Sequence, residues 1–384
     1  MKKIIALVRG DGSGPEMMTV ACAVAIEAAK KDGMEIVFEE TPMGWNAWNA
    51  HKDTVPESSL ARATELGILF FGGVGDPEFD KTLGVEFPDM APERKALLTI
   101  RKNWGLLLNF RPMIFRKAWA HLSPLKPELI PESGIEQHFI RFLLEDSYYG
   151  TADLWALIPE DIREKLGIKL RPDVDGEEDM ITELSYYRKE TVEKYFRYAF
   201  SYARAKGLPL ICVDKSNVMP RYVFWRKICA RIGRDEFPNV ELRFQLVDSA
   251  NALLFNPSAL RGVIACGNEH GDVLSDGAAA GVASMGMMCS SAVNPDTGAA
   301  MFESGAGTAP TLAGQDKANP LGRILTAAMM LQHIGASNGA EAIEAAVNSV
   351  ISDGWRTADI VSQADAPDNI IGTAAMGEKV LSHL

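Results

Sequence analysis

The sequence predicts an α/β protein, and three observations carry that prediction. Short apolar runs that read as buried strands alternate with longer amphipathic runs that read as helices, the order in which strand–helix crossovers build a sheet. The apolar runs at 4–8 and 66–71 each lead to a glycine-rich stretch, Gly10-Asp-Gly-Ser-Gly-Pro-Glu16 and Gly72-Gly-Val-Gly-Asp-Pro77. Loops after the carboxyl ends of strands are where open α/β sheets bind ligands. No internal repeat, low-complexity linker or nucleic-acid module breaks the pattern.

The chain has 384 residues, room for two domains or one large one with ample core. Its net charge of -12 and pI near 5.1 speak against nucleic acid or an anionic membrane as the main partner. An anionic small-molecule substrate stays open, because a local arginine cluster acts against the global field. Five scattered cysteines without a C-x-x-C pair suggest reduced thiols and a cytoplasmic protein. The opening apolar run stops at Arg9 and Gly10, too early for a signal peptide or a membrane span.

Taken in order, 4–8 is a strand that enters the first glycine turn. Pro15 suits the first turn of a helix over 17–29, with Glu16 near its positive end. A strand at 35–39 follows. Strand, glycine loop, helix, strand suggests a dinucleotide crossover, but G-x-G-x-x-G fails at Pro15, so tight-turn geometry suffices to explain these glycines. Further expectations are a strand at 66–71, a helix at 94–103 and a strand from 106 that leads to Arg111 and Pro112. The stretch 124–131 reads as a crossing between sub-structures. A helix at 190–206 precedes strands at 208–213, 240–247 and 262–266, with a final helix at 321–333.

Chemistry-bearing residues fall at the ends of these elements. Asp272 and Asp276, in Gly271-Asp-Val-Leu-Ser-Asp276, would share one helix face a turn apart. Like charges at that spacing destabilise a helix unless something positive stands between them, and a hard divalent cation is one candidate. Arg101, Arg111 and Arg141 could converge on a carboxylic substrate, although each alone reads as a surface ion-pair partner. Tyr148 alone reads as packing. Lys215 after an apolar strand reads as a proton carrier or as a snorkelling surface lysine. Asp248 is expected to close a strand.

The order of these elements resembles the isocitrate/isopropylmalate dehydrogenase family of β-decarboxylating dehydrogenases over nearly the whole chain. The opening Gly10 to Glu16 loop is similar to the family's G-D-G-x-G-P-E. Arg101 with Arg111-Pro112 resembles L-R-K…L-R-P, and Arg141 to Tyr148 resembles R-x6-Y. Val213-Asp-Lys-Ser-Asn-Val218 resembles V-D-K-x-N-V, Asp248 matches V-D-A, and Gly271 to Asp276 matches G-D-I-L-S-D. Gly307-Thr-Ala-Pro310 with Asn319-Pro320 is similar to the cofactor loop.

The resemblance implies two α/β domains that share a sheet core, not a classical Rossmann domain. It places a large cofactor-side domain at 1–106 plus 284–384. A small substrate, metal and dimerisation domain takes 107–283. It implies that Asp248, Asp272 and Asp276 hold Mg2+ or Mn2+ and that Arg101, Arg111 and Arg141 clamp carboxylates. Tyr148 and Lys215 would then be the catalytic acid and base. Gly307, Thr308, Ala309, Pro310, Thr311 and Asn319 would hold the nicotinamide cofactor. Lys215 and Asp248 would come from the second subunit of a homodimer.

Two departures bear on specificity. Ala306 stands where the family has histidine, and Thr311 stands where an acidic residue or a lysine usually selects between NAD and NADP. NAD is the expected cofactor and NADP the alternative. Leu97 and Leu98 resemble the paired leucines of isopropylmalate enzymes, whereas isocitrate-using members resemble Ser-x-Asn where Lys95 and Leu97 stand. The expected reaction is metal-dependent oxidative decarboxylation of 3-isopropylmalate or a related 3-alkylmalate. D-malate, tartrate, isocitrate or homoisocitrate are alternative substrates, and a non-catalytic regulatory paralogue is the reading from another class.

Overall fold

Ten strands pair into one mixed sheet in the computed structural model, which describes residues 1–87, 90–149, 159, 161–162, 185–363 and 365–384. They are β1 (Lys2–Val8), β2 (Glu35–Glu40), β3 (Ile68–Phe71), β4 (Leu108–Phe115) and β5 (Ile135–Phe142), then β6 (Leu210–Asp214), β7 (Leu242–Leu246), β8 (Gly262–Cys266), β9 (Ser291–Val293) and β10 (Ala300–Glu303). The spatial order is β2-β1-β3-β10-β9-β4-β5-β8-β6-β7. The two flanks are parallel, and the centre from β10 through β9 and β4 to β5 is antiparallel. Two parallel α/β blocks therefore share one sheet across an antiparallel seam, which is not a Rossmann arrangement.

Helices cover both faces. Gly14–Ala29, Leu321–His333, Ser337–Ser352 and Thr373–Ser382 bundle together on the first block, where their alanine- and isoleucine-rich stripes are buried. Lys189–Lys206 and Pro220–Glu236 pack on the second. There Trp225 is fully buried among the rings of Phe142, Tyr195 and Phe196, the nearest with its centroid 4.6 Å away. Burying a side chain of that kind stabilises by about 1.5–3 kcal/mol, with a further fraction from the edge-to-face ring geometry. Asn268–Val282 lies across β4 and β5 on the side that carries Arg111 and Arg141.

Several expectations shift in detail. The strand expected from residue 66 starts at Ile68, because Leu66 ends a helix that Gly67 stops with a left-handed φ of 68°. The helix expected at 94–103 opens as a wide π-type turn over Glu93–Leu98 before it tightens at Thr99–Asn103. Arg111 and Pro112 lie inside β4 rather than at its end. The missing N–H of Pro112 is tolerated because β9 borders only Leu108 to Phe110. The stretch 124–131 joins the neighbouring antiparallel strands β4 and β5, so it is a turn connection and not a crossing between sub-structures. Asp248 sits in the first turn of the helix Val247–Leu253, two residues past the end of β7, the strand it was expected to close.

The first glycine loop is a structural joint. Gly10 has φ +80°, and a Cβ there would stand 1.9 Å from the Gly73 carbonyl of the second glycine loop. The buried Asp11 carboxylate accepts from the backbone N–H groups of Trp45, Asn46 and Gly75 at 3.0, 3.0 and 2.9 Å. Burial pushes its pKa up against these three donors. Ser13 reaches the other way, its N–H and Oγ both donating to the Thr308 carbonyl at 2.8 and 2.9 Å. Gly10→Ala is expected to lower stability by about 2–4 kcal/mol through the clash and the strained φ, seen as a lower urea midpoint. An unchanged midpoint would contradict this joint.

Candidate active site

The cation that two carboxylates one turn apart call for is supplied by the protein itself. Asp272 and Asp276 share one face of Asn268–Val282, and Arg111 reaches between them from β4. Its Nη1 lies 3.0 Å from Oδ1 of each aspartate and donates to Ser275 Oγ at 2.8 Å. Arg141, from β5, adds a second cation: Nη1 pairs with Asp272 Oδ1, and Nε donates to Asn268 Oδ1 at 2.9 Å. Gly271 is required where the helix crosses this arginine, since a Cβ would stand 2.8 Å from Arg141 Cγ. The Tyr148 hydroxyl donates to Asp272 Oδ2 at 2.8 Å, and its ring centre lies 5.1 Å from the Arg141 guanidinium carbon.

The helix start is held as firmly. Asp146, buried and at φ +79°, accepts from the Asn268 N–H at 3.1 Å and the Tyr187 hydroxyl at 2.7 Å. Asn268 then donates its amide to the Leu143 and Glu145 carbonyls at 3.0 and 3.2 Å, which fixes the oxygen that orients Arg141.

Arg101, Arg111, Arg141, Tyr148 and Asp272 line one cleft of about 430 Å³. Leu97 and Leu98 form an apolar wall, and Gly307 and Thr308 close the far side. Arg101 meets Glu303 at 3.5 Å. Sequence reasoning missed Glu303, whose signal was an acid at the carboxyl end of β10, parallel to β3. Ala309, at φ 41°, turns the chain away through Pro310 to an exposed Thr311. Asn319 is buried, its Oδ1 accepting from the Leu321 N–H at 2.9 Å and its amide donating to Asp359 at 3.0 Å, so its side chain caps a helix. Lys215 and Asp248 do not line this cleft; they pair with each other.

The electrostatics follow from these contacts. Burial works to raise the Asp272 pKa, but Arg141 and Arg111 outweigh it and hold the carboxyl below the usual range. Asp276 goes the other way: burial and the Asp272 anion outweigh Arg111 and raise it. Burial, then the Asp272 charge, push the Tyr148 phenol up, so it keeps its proton at neutral pH. Burial and the nearby Arg111 push Arg141 down, while Asp272 supports it; a guanidinium so paired stays charged.

Against known proteins, the sequence model described as isocitrate/isopropylmalate dehydrogenase matches residues 4–380. The 3-isopropylmalate dehydrogenase of Desulfotalea psychrophila is 35% identical over 386 residues, the whole of both chains. That of Chromohalobacter salexigens is 36% identical over all of this chain and 99% of its own. The crystal structure of isocitrate dehydrogenase from Methylococcus capsulatus superposes with a TM-score of 0.80 at 27% identity, covering 99% of each chain.

Arg111→Leu is expected to raise the Asp272 carboxyl pKa, read by 13C NMR titration of labelled aspartate. A carboxyl depressed in the folded state contributes stability that is complete at neutral pH and is lost as pH falls through its folded-state value. In the variant that contribution is smaller and its loss is complete at a higher pH. An unchanged Asp272 titration would contradict the bridging role of Arg111.

Proposed function

Since the chain belongs to the isocitrate/isopropylmalate dehydrogenase family, and so is an oxidoreductase with a nicotinamide cofactor, we propose that it oxidatively decarboxylates 3-isopropylmalate or a related 3-alkylmalate. One observation carries the reading: three buried arginines, a protonated tyrosine and a leucine wall meet in one cleft. A malate-type acid brings two carboxylates, which forked guanidinium groups match bidentately. Its alkyl substituent would lie against Leu97 and Leu98, which offer no partner to a further carboxylate. A missing methylene costs only about 1–3 kcal/mol in such a wall, so neighbouring alkylmalates are expected to react more slowly rather than not at all.

NAD is the proposed hydride acceptor, with the turn through Gly307, Thr308, Ala309, Pro310 and Thr311 as its cradle. Asn319 would act there by fixing the helix behind that turn. The carboxylates of Asp272 and Asp276 are hard oxygen donors suited to Mg2+ or Mn2+. Among the described residues no third His, Cys, Asp or Glu completes a set with them in one chain. Asp248 of a second copy is the proposed third ligand. When bound, the ion would acidify the substrate hydroxyl and stabilise the enolate left by CO2 loss.

The chain's own residues then divide the proton work. Lys215 of the second copy would take the hydroxyl proton as the substrate is oxidised. Tyr148, kept protonated by burial and by Asp272, would deliver a proton to C3 once the carboxylate has left. The homodimer proposal has support in exposed apolar residues beside these groups. Val218, Phe255 and Val273 are 65%, 68% and 65% exposed, and they neighbour Lys215, the Asp248 helix and Asp272 in sequence. We also propose the domain division at 106/107 and 283/284, which falls in segments flanking the antiparallel seam. Among the described residues no helix is long and apolar enough to cross a membrane.

The test is nicotinamide reduction with Mg2+ or Mn2+, NAD or NADP, and 3-isopropylmalate, isocitrate, homoisocitrate, D-malate or tartrate. The expected result is fastest turnover of 3-isopropylmalate with NAD. Asp272→Asn is expected to abolish metal-dependent turnover and, by leaving Arg141 without its charge partner, to lower the thermal midpoint while the chain still folds. Absence of turnover with every pair would sink the catalytic reading.

A further inference from the structure

Three polar side chains stand in a row across the antiparallel seam. β9 pairs with β4 so that Ser291 faces Phe110, and with β10 so that Ser291 faces Phe302. One step further along, the same registers set Ser290 between Arg111 of β4 and Glu303 of β10. There the Glu303 N–H donates to the Ser290 carbonyl at 3.2 Å. Residues directly opposite one another in antiparallel strands share a face, and all three side chains line the cleft.

The Ser290 hydroxyl is buried, at 5% exposure, and only half used. Its Oγ lies 2.8 Å from the Asn109 side-chain nitrogen, which also reaches the Ser291 carbonyl at 3.0 Å. A carbonyl only accepts, so the nitrogen end of the Asn109 amide is fixed, and Ser290 Oγ accepts from it as well. The hydroxyl proton is left over, with no acceptor among the described residues. A buried donor is costly to leave unmet, and the cleft is where a partner can reach it.

Glu303 has the complementary surplus. Its Oε2 meets Arg101 Nη2 at 3.5 Å, and its carboxylate accepts no hydrogen bond among the described residues. A spare donor and a spare acceptor thus stand side by side on neighbouring strands. A primary carboxamide, with a carbonyl oxygen and an N–H2 on one carbon, answers both. A carboxylate brings acceptors only and would set a second negative charge beside Glu303. The chain also runs from Glu303 straight into the turn through Gly307 and Thr308, with only Gly305 and Ala306 lining the cleft between Ser304 and Gly307. A flat ring seated on that segment lies between the turn and the arginine clamp, where a hydride acceptor has to stand.

Resting on the nicotinamide-linked reading above, we propose that the Ser290 hydroxyl, beside Glu303, holds the carboxamide of the nicotinamide ring. The carboxamide oxygen accepts from Ser290 and its N–H2 donates to Glu303. Asn109 is the positioning residue behind them, because it occupies the Ser290 oxygen and leaves only the proton to offer. So held, the ring does not rotate about its bond to the ribose, and one face stays toward the substrate.

Calorimetric titration of the full chain compares three probes. They are NADH, its thionicotinamide analogue, in which sulfur replaces the carboxamide oxygen, and ADP-ribose, which lacks the ring. Wild type is expected to bind NADH about fivefold more tightly than the thionicotinamide analogue, sulfur being the weaker acceptor. Ser290→Ala is expected to weaken NADH by about the same factor, to bring it level with the analogue and to leave ADP-ribose unchanged. Equal affinity of wild type for NADH and the analogue would overturn the proposal without any variant. So would a variant that binds NADH as wild type does, or one that loses ADP-ribose in step with NADH. Weaker binding of D-malate with NADH binding intact would assign the hydroxyl to the substrate instead. If wild type binds neither NADH nor ADP-ribose, the nicotinamide reading itself fails and this proposal fails with it.

Discussion

The candidate site depends on one guanidinium group held between two carboxylates. Arg111 comes from the antiparallel seam that joins the two parallel blocks, and it reaches Asp272 and Asp276 at equal distances of 3.0 Å. Without it, two half-buried anions one turn apart would repel and one would take up a proton. With it, the Asp272 carboxyl is held below the usual range, while burial and the Asp272 charge raise that of Asp276. A single side chain thus couples the helix Asn268–Val282 to the sheet and lowers the cost of holding both carboxyls together. Arg141 and Tyr148 both address Asp272, whereas Arg101 meets Glu303.

That arrangement has a consequence for any bound cation. A metal that takes Asp272 and Asp276 must compete with Arg111, and an anionic substrate must draw the same arginine toward itself. The two demands are compatible, because a substrate carboxylate offers Arg111 a replacement partner as the metal takes over the aspartates. Metal and substrate binding are therefore expected to reinforce each other.

Much of this was legible in the sequence, for identifiable reasons. The strands β1 and β8 and the helix Leu321–His333 appear where apolar runs end at glycine, arginine or proline, signals that act locally. The convergence of Arg101, Arg111, Arg141 and Tyr148 was legible only as ordered motifs, since their spacing says nothing of the seam that brings them together. The connection at 124–131 was misread because proline marks a turn without saying whether the chain returns beside the strand it left. Asp146 and Asn268 were invisible: a buried aspartate at positive φ and an asparagine that orients an arginine have no sequence period. Asn319 illustrates the reverse case, a motif residue whose side chain serves helix capping.

The account rests most heavily on an active unit assembled from two copies, with Lys215 and Asp248 of one completing the cleft of the other. The most direct measurement mixes two inactive variants, Asp272→Asn and Lys215→Met, under conditions in which subunits exchange. If the site is shared, each mixed dimer holds one intact site, and activity returns to roughly a quarter of wild type by statistical pairing of two-fold dimers. If each chain carries its own complete site, mixing restores nothing beyond the two parents' residual rates, and the shared-site account fails.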